Sequence, residues 1–477
     1  MMRLQRRRFL QAFGSIPFLY ALTGCQPAAN AAEKNISNED NDDSKTQPAE
    51  FPPSAEIANS KVFKVGYLSI IQGPTSDSES NINIFTPRLK AYTYSVTDDS
   101  GRTYDVKTYE TVKGPAFYNI DKIKVTGLTP GVIYTLKVND KTTLVDQRSF
   151  QSLNTSKADP VFAMVSCMAD DFRFNEVIDP MWNRLQREDV DFLVLSGDQV
   201  YVDSFEFVER KKATEYDLWQ RYIDSFRRIP LYHWAQLKPI FALWDDHDFG
   251  TNDGDNTFIS KEAADRIFKA AFSGQDLTGV WSKSPQGTSS YLNGFKQKFF
   301  FMDDRSFRQP NSTAMAQETY GHWGKVNHDW LIAGLSADQN PAWVINGNQI
   351  FNGAKKTFIE SLEQSNPTEF TLLMKQLRQI KAPVVFGSGD IHLTEVCKIP
   401  KEKMGYETFE LTSSSMHSFV GAGWDNELRV AGAYCIEFNF CVVRSVNENG
   451  KLKINTKCLG LAKQPYFDMD FVVSKNV

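Results

Sequence analysis

The sequence predicts an α/β domain preceded by a smaller all-β sandwich. Three observations carry that reading. Four apolar, β-prone runs each end in a cluster of residue types that bind metals. Beyond residue 156, strand-like and helix-like stretches alternate. Before it, residues 61–150 hold only short strand-like runs between turn signals. A chain of 477 residues favours two domains over one, and 41% hydrophobic with 13% aromatic residues suffices for large cores. The formal charge of −5 offers no basic stripe for nucleic acid.

Residues 1–24 read as an address. Arg6-Arg7-Arg8-Phe9-Leu10 fits a twin-arginine export signal, and Phe9 to Leu22 is mostly apolar but short for a bilayer span. Leu22-Thr23-Gly24-Cys25 resembles a bacterial lipobox, which would leave Cys25 as a lipidated N-terminus. The alternative is a basic N-terminus ahead of a buried helix. Without residues 1–24, 49 basic side chains face 58 acidic ones. No later stretch is apolar for eighteen consecutive residues, so the expectation is an exported protein, periplasmic or at the cell surface, anchored by lipid rather than spanning. Residues 25–59 are rich in Asn, Asp, Ser, Pro and Glu and read as a solvated tether.

Residues 60–155 form the expected β-sandwich. Runs such as Lys90-Ala91-Tyr92-Thr93-Tyr94-Ser95-Val96 alternate with turns at Asp98-Asp99-Ser100-Gly101 and Thr129-Pro130-Gly131. The segment Val125 to Tyr134 resembles a turn before a late strand in fibronectin type III and immunoglobulin-like domains. No catalytic constellation lies here.

Residues 156–477 form the expected catalytic domain, with helices over 176–188, 215–227 and 261–272. Tyr291 to Asp303 predicts a hairpin with its turn at Asn293-Gly294. The strand-like runs 163–165, 192–195, 241–244 and 384–386 lead into Ser166-Cys167, Gly197-Asp198-Gln199-Val200-Tyr201, Asp245-Asp246-His247-Asp248 with Asn252, and Gly389-Asp390-Ile391-His392. Ligand sites in open α/β sheets form beyond the carboxyl ends of the strands. Asp198 can bridge two cations, and Tyr201 can join it if the loop turns back. Cys167 as a thiolate is a soft ligand that suits a transition metal, and with a phenolate it points to iron, ferric rather than ferrous; alone, it reads better as a small core residue. Adjacent carboxylates at 245 and 246 repel unless a cation joins them, although an acidic helix start would also explain them. His247 between two Asp residues is suited to ligate, to bind substrate or to act as an acid. Asn252 offers a neutral oxygen for a harder second metal. Asp390 and His392 can face one site from an extended strand exit. His233, His322, His328 and His417 lack such company and read as structural or surface residues.

A two-residue turn at Asn449-Gly450 places Cys441 opposite Cys458, in a pairing that permits a disulfide. Two buried thiols, or a bulge that shifts the register, are the alternatives.

The four motifs, in this order, resemble those of PhoD-type alkaline phosphatases within the metallophosphoesterase superfamily. Asp303-Asp304-Arg305-Ser306-Phe307-Arg308, Trp330-Leu331 and Trp343 to Gln349 are also similar, and the resemblance spans roughly 60–470. It implies a four-layer α-β-β-α core with iron in one metal position and Ca2+ in the other. Carried over, Cys167, Asp198, Tyr201 and His392 would hold iron; Asp198, the Asp245/Asp246 pair, Asn252 and Asp390 would hold calcium. Arg308 would clamp phosphate, unless it forms an ordinary salt bridge. The implied activity is release of phosphate from exported or environmental phosphoesters by a metal-activated water, with Asp198, His247 and Arg308 as catalytic residues. The implied partners are a phosphoester substrate, the twin-arginine export machinery and, through the lipid anchor, a membrane. A phosphodiesterase or phospholipase-like hydrolase and a non-catalytic surface lipoprotein are the competing expectations. Two departures from the family pattern, Asn327 where Gln is usual and the run at Asp203-Ser204-Phe205, bear on substrate preference.

Overall fold

The computed structural model describes residues 68–115, 117–204, 213–310, 319–354, 360–421 and 423–475. The expected export signal, Cys25 and the tether lie outside the described residues.

Seven strands come first: β1 (Ile70–Thr75), β2 (Glu79–Pro87), β3 (Tyr92–Thr97), β4 (Thr103–Lys113), β5 (Tyr118–Thr126), β6 (Ile133–Asp140) and β7 (Thr143–Gln151). They pair in the order β1-β2-β5-β4-β3-β6-β7. Only two residue pairs join β3 to β4, so the sheet has two halves. Ile82, Ile84, Ile123 and Val125 from one half share a core with Val96, Leu136, Val138 and Phe150 from the other. The predicted turn at 98–101 forms where the Asp98 carboxylate accepts the N–H groups of Ser100 and Arg102 at 2.9 and 3.0 Å. At the 129–131 turn, the Tyr134 hydroxyl accepts the Thr129 N–H at 2.7 Å.

A second sheet is built from β8 (Val161–Val165), β9 (Phe192–Ser196), β10 (Ile240–Leu243), β19 (Asn439–Glu448), β20 (Lys451–Gly460) and β21 (Phe467–Val473), in the order β10-β9-β8-β19-β20-β21. A third contains β11 (Trp281–Lys283), β12 (Ser290–Gly294), β13 (Gln297–Phe301), β14 (Ala342–Ile345), β15 (Val384–Ser388), β16 (Thr394–Ile399), β17 (Thr408–Thr412) and β18 (Arg429–Cys435), in the order β11-β12-β13-β14-β15-β17-β16-β18. β8, β9 and β10 run parallel, as do β13, β14, β15 and β17.

Side-chain alternation along β8 to β10 explains the packing. Phe162, Met164, Phe192, Val194, Phe241 and Leu243 join one core with Phe299, Phe301, Trp343, Ile345 and Val385 of the third sheet. The intervening residues Ala163, Val165, Leu193 and Leu195 pack with α1 (Asn175–Gln186), α2 (Glu215–Arg228) and α3 (Lys261–Phe272). Both faces of these strands are therefore covered, which is why they read as continuous apolar runs. α4 (Lys325–Ser336) and α5 (Pro367–Leu377) contribute Leu331, Leu335, Leu373 and Leu377 to the core of the third sheet.

The β-region is tied to this assembly by polar contacts. Arg148 on β7 pairs with Asp146 at 2.7 Å and donates to the carbonyls of Leu68 and Trp234 at 2.8 and 2.9 Å. Asn83 donates to the carbonyl of Ala271 on α3 at 2.7 Å.

Two sequence expectations about hairpins meet different outcomes. The 290–301 hairpin forms, but its turn is Phe295-Lys296, with φ of 61° and 56°, and Asn293-Gly294 remains in β12. Phe295 is 1% exposed and stacks on Phe192 at 5.7 Å, so burial of one aromatic ring outweighs local turn preference. In the 439–460 hairpin the turn is at Asn449-Gly450, and Cys441 lies opposite Cys458 as expected. The two sulfurs are unbonded, and all five described cysteines are thiols.

Candidate metal centre

The parallel strands β8, β9 and β10 end together, and β15 ends against them from the third sheet. Gly389, just after β15, lies close enough that an added Cβ would fall 2.5 Å from the Ser196 carbonyl oxygen at the end of β9. Gly197 has φ +98° and leaves no room for a side chain, since a Cβ would meet that of Asp245 at 2.6 Å. These glycines let the four strand exits converge.

The backbone at the convergence is strained. Among the described residues, nine non-glycine residues have positive φ; Lys141, Phe295, Lys296 and Asn449 belong to hairpin turns. The other five are Cys167, Asp198, Asp253, Asp390 and His392. Such conformations cost about 1–3 kcal/mol each and cluster at functional sites.

Four groups of side chains each bring one ligand atom per residue within 4.8 Å of one another: Cys167, Asp198 and His392; Asp198, Asp246 and His247; Asp245, Asp246 and Asp390; Asp246, Asp253 and Glu360. Asp198 joins the first two groups and Asp246 the last three. The Tyr201 hydroxyl lies 3.4 Å from Asp198 Oδ2, and Cys167 Sγ lies 3.5 Å from the same oxygen. Ser414 and Ser166 donate to Cys167 Sγ at 3.0 and 3.3 Å. Of the sequence-predicted ligands, Cys167, Asp198, Tyr201, Asp245, Asp246, Asp390 and His392 thus meet. Asn252 is exposed, and its N–H donates to Asp203 Oδ2 at 3.0 Å. The next residue, Asp253, enters a group with Asp246.

The electrostatics fit a site that binds a cation. Burial, then the charges of Asp198 and Asp390, push the Cys167 thiol well above its ordinary range against the two serine hydrogen bonds. Burial and the charges of Cys167 and Asp198 push Tyr201 up. Asp198 is raised by burial and by Asp246, Asp248 and Asp390, with His247 opposing. Asp245 Oδ2 is buried without a hydrogen-bond partner. A thiol, a phenol and several carboxylates that each resist ionisation fit a site whose charge is balanced by bound metal.

His247 is held between two groups. Its Nδ1 lies 2.8 Å from Asp203 Oδ1, and its ring stacks on Tyr201 at 4.1 Å. Burial opposes its protonation, but Asp203, Asp246 and Asp198 outweigh burial and hold the imidazolium well above the usual histidine range. Asp248 organises the backbone beneath: its carboxylate accepts the N–H groups of Asp198, Val200 and Asp245 at 2.7, 2.8 and 3.1 Å.

Arg308 is fully buried, 2.8 Å from Glu360 and 2.9 Å from Ser365 Oγ. Arg305 is also buried, 2.5 Å from Asp245 and 2.9 Å from Glu360. Sequence reasoning gave no role to Asp203, Asp248, Asp253, Arg305, Glu360 or Ser414. Three of them left a signal: Asp203 in the acidic run after Tyr201, Asp248 in the Asp245–Asp248 motif and Arg305 in the 303–308 run. Asn327 is buried and donates to the Trp323 carbonyl at 3.1 Å, away from the cluster's groups. All four histidines outside the motifs are buried; His417 accepts the Trp182 indole N–H at 2.8 Å, and His328 pairs with Glu369 at 3.1 Å.

No protein-family model and no curated protein matches the chain. Among solved structures, one described as the structure of PhoD aligns over 86% of this chain and 91% of its own, with a TM-score of 0.65 and 15% identity. The chain shares the PhoD fold. Vacuolar protein sorting 29 from Cryptosporidium parvum aligns over 67% of this chain at a TM-score of 0.27 and 8% identity. The PhoD likeness covers the β-region as well as the two-sheet assembly, since 86% of the chain exceeds the share of residues after 156.

Proposed function

We propose that this chain is a metal-dependent phosphoester hydrolase of the alkaline-phosphatase kind. The observation that carries the proposal is the convergence of Cys167, Asp198, Asp246, Asp390 and His392 at four strand exits of a PhoD fold. The proposed organisation is a four-layer α-β-β-α catalytic domain, 156–477, behind a fibronectin III or immunoglobulin-like domain, 60–155. Export by the twin-arginine route and lipid attachment at Cys25 belong to the same proposal.

Cys167, Asp198, Tyr201 and His392 would hold iron; Asp198, Asp246, Asp390 and Asn252, with Asp245 behind them, would hold calcium. Bound cations there supply Lewis acidity and neutralise charge on a phosphoryl group. The chain's own contribution is positional. Asp248 fixes the backbone that carries Asp198 and Asp245. Asp203 occupies His247 Nδ1, which leaves the Nε2 proton as the one to pass to a departing alcohol. Asp198 bears on both metal positions.

The test is elemental analysis of full-length protein matured through its export route, with rates on 4-nitrophenyl phosphate and on bis(4-nitrophenyl) phosphate. About one iron per chain with calcium, and faster monoester turnover, support the proposal. Faster diester turnover would reassign the substrate class. Asp198→Asn should remove most activity, and full activity in a correctly metallated variant would sink the assignment.

A further inference from the structure

Three thiols lie together away from the metal centre. Cys435 ends β18, the edge strand of the third sheet, while Cys441 and Cys458 face each other on β19 and β20 of the second. All three are buried in the core that the two sheets share. The Cys458 thiol neighbours those of both Cys435 and Cys441.

We propose that Cys435 and Cys458 are a disulfide-forming pair that staples the second sheet to the third, with Cys441 held beside Cys458 as the third thiol. Register alone would favour Cys441, which lies directly across the hairpin. Access and reactivity favour Cys435. Cys441 and Cys458 are wholly enclosed, whereas Cys435 keeps 4% exposure and leads into Ile436, which is 39% exposed. The Glu437 N–H donates to Cys435 Sγ at 3.4 Å, a contact that stabilises a thiolate. The neighbouring Cys458 thiol and this N–H lower the Cys435 thiol below its ordinary range, against burial, while burial raises Cys458. Cys435 is therefore the attacking sulfur and Cys458 the resolving one.

The chemistry balances with a small-molecule disulfide as oxidant. Cys435 thiolate attacks one sulfur of glutathione disulfide, the S–S bond breaks, and one glutathione thiolate leaves with the electron pair. Cys458 then attacks the Cys435 sulfur as its proton passes to solvent, and the second glutathione thiolate departs. Two protein thiols are oxidised, and one glutathione disulfide is reduced to two glutathiones.

The full chain is reduced, exposed to glutathione disulfide, blocked with N-ethylmaleimide, digested and mapped by mass spectrometry. The expected product links Cys435 to Cys458 as the dominant form, with Cys441 alkylated. Cys441→Ser should keep that bridge, and Cys435→Ser should lose it. A Cys441–Cys458 bridge in the wild-type chain would overturn the proposal. So would three fully alkylated thiols after oxidation, or tightly bound zinc protecting all three.

Discussion

Replacing Arg148 by Met tests whether the β-region is an integral part of the fold. The guanidinium and the Asp146 carboxylate are both fully enclosed. Arg148 Nε and Nη2 donate to the two Asp146 oxygens at 2.7 and 2.9 Å, and the remaining donors serve the carbonyls of Leu68, Trp234 and, at 3.4 Å, Tyr232. After substitution, the Asp146 carboxylate keeps the Leu68 N–H at 3.3 Å but loses its cation. Breaking one partner of a buried ion pair costs about 3–5 kcal/mol. With an unfolding entropy of about 2 cal/mol/K per residue, that loss lowers the midpoint of a chain this size by about 3–5 °C. The assay is thermal and urea unfolding of Arg148→Met, of Asp146→Leu and of the double variant. Replacing both partners removes the stranded charge, so the double variant should recover at least half of the loss. A single variant within about 0.5 kcal/mol of wild type, the range of ordinary surface changes, would refute the reasoning. So would a double variant as unstable as the sum of the singles.

Asp248→Asn can satisfy only part of the three N–H groups that the carboxylate now accepts, and the strand exits should loosen. Metal content and turnover should fall by at least about tenfold, the usual scale for residues that orient ligands, measured by elemental analysis and initial rates. His233 should make stability depend on pH. Burial first, then the charge of Arg148, lowers its imidazole from the ordinary 6.5 to about 3. The unfolded chain binds the extra proton between those values, so this contribution is complete above pH 6.5 and is lost as pH falls toward 3. The slope reaches about 1.4 kcal/mol per pH unit for one proton, and urea midpoints from pH 4 to 7 should show a shallower fall in His233→Gln. Arg308→Ala should reduce stability by about 1–3 kcal/mol, because Glu360 loses one of its two guanidinium partners and keeps Arg305, with little change in KM in the surviving protein. A raised KM at unchanged stability would instead support the phosphate-clamp role.

The strand exits were legible because their signal is local. An apolar run followed at once by Cys, Asp or His needs no knowledge of the partner strand, and Phe192 to Asp198 or Val384 to Asp390 can be read in a single window. The Cys441–Cys458 register was legible for the same reason, because Asn449-Gly450 fixes the pairing along the whole hairpin. What escaped was set across long sequence separations. Asp248 acts on backbone 48 and 50 residues earlier. Glu360 reaches Arg305 and Arg308 from a distant loop, and nothing near Glu360 in sequence hints at either. Phe295 shows the limit of local turn chemistry, since the core claims its ring and moves the turn by two residues.

The charge balance of the site is uneven, and the unevenness bears on its two adjacent aspartates. Arg305 lies against Asp245, Asp304 and Glu360, and Arg308 adds a second guanidinium to Glu360. On that side, fixed protein cations already answer the carboxylates. On the other side, His247 is the cation that opposes burial and three neighbouring carboxylates around Asp198. Asp246 belongs to three of the four ligand groups and Asp245 to one, with one Asp245 oxygen already committed to Arg305. A bound metal ion gains most where the protein supplies least compensating charge. That asymmetry favours Asp246 as the ligand facing the metals and Asp245 as the residue that ties them to the arginine network. It also gives the strained conformations of Cys167, Asp198 and His392 a common setting, because these three side chains bring their ligand atoms together in one group.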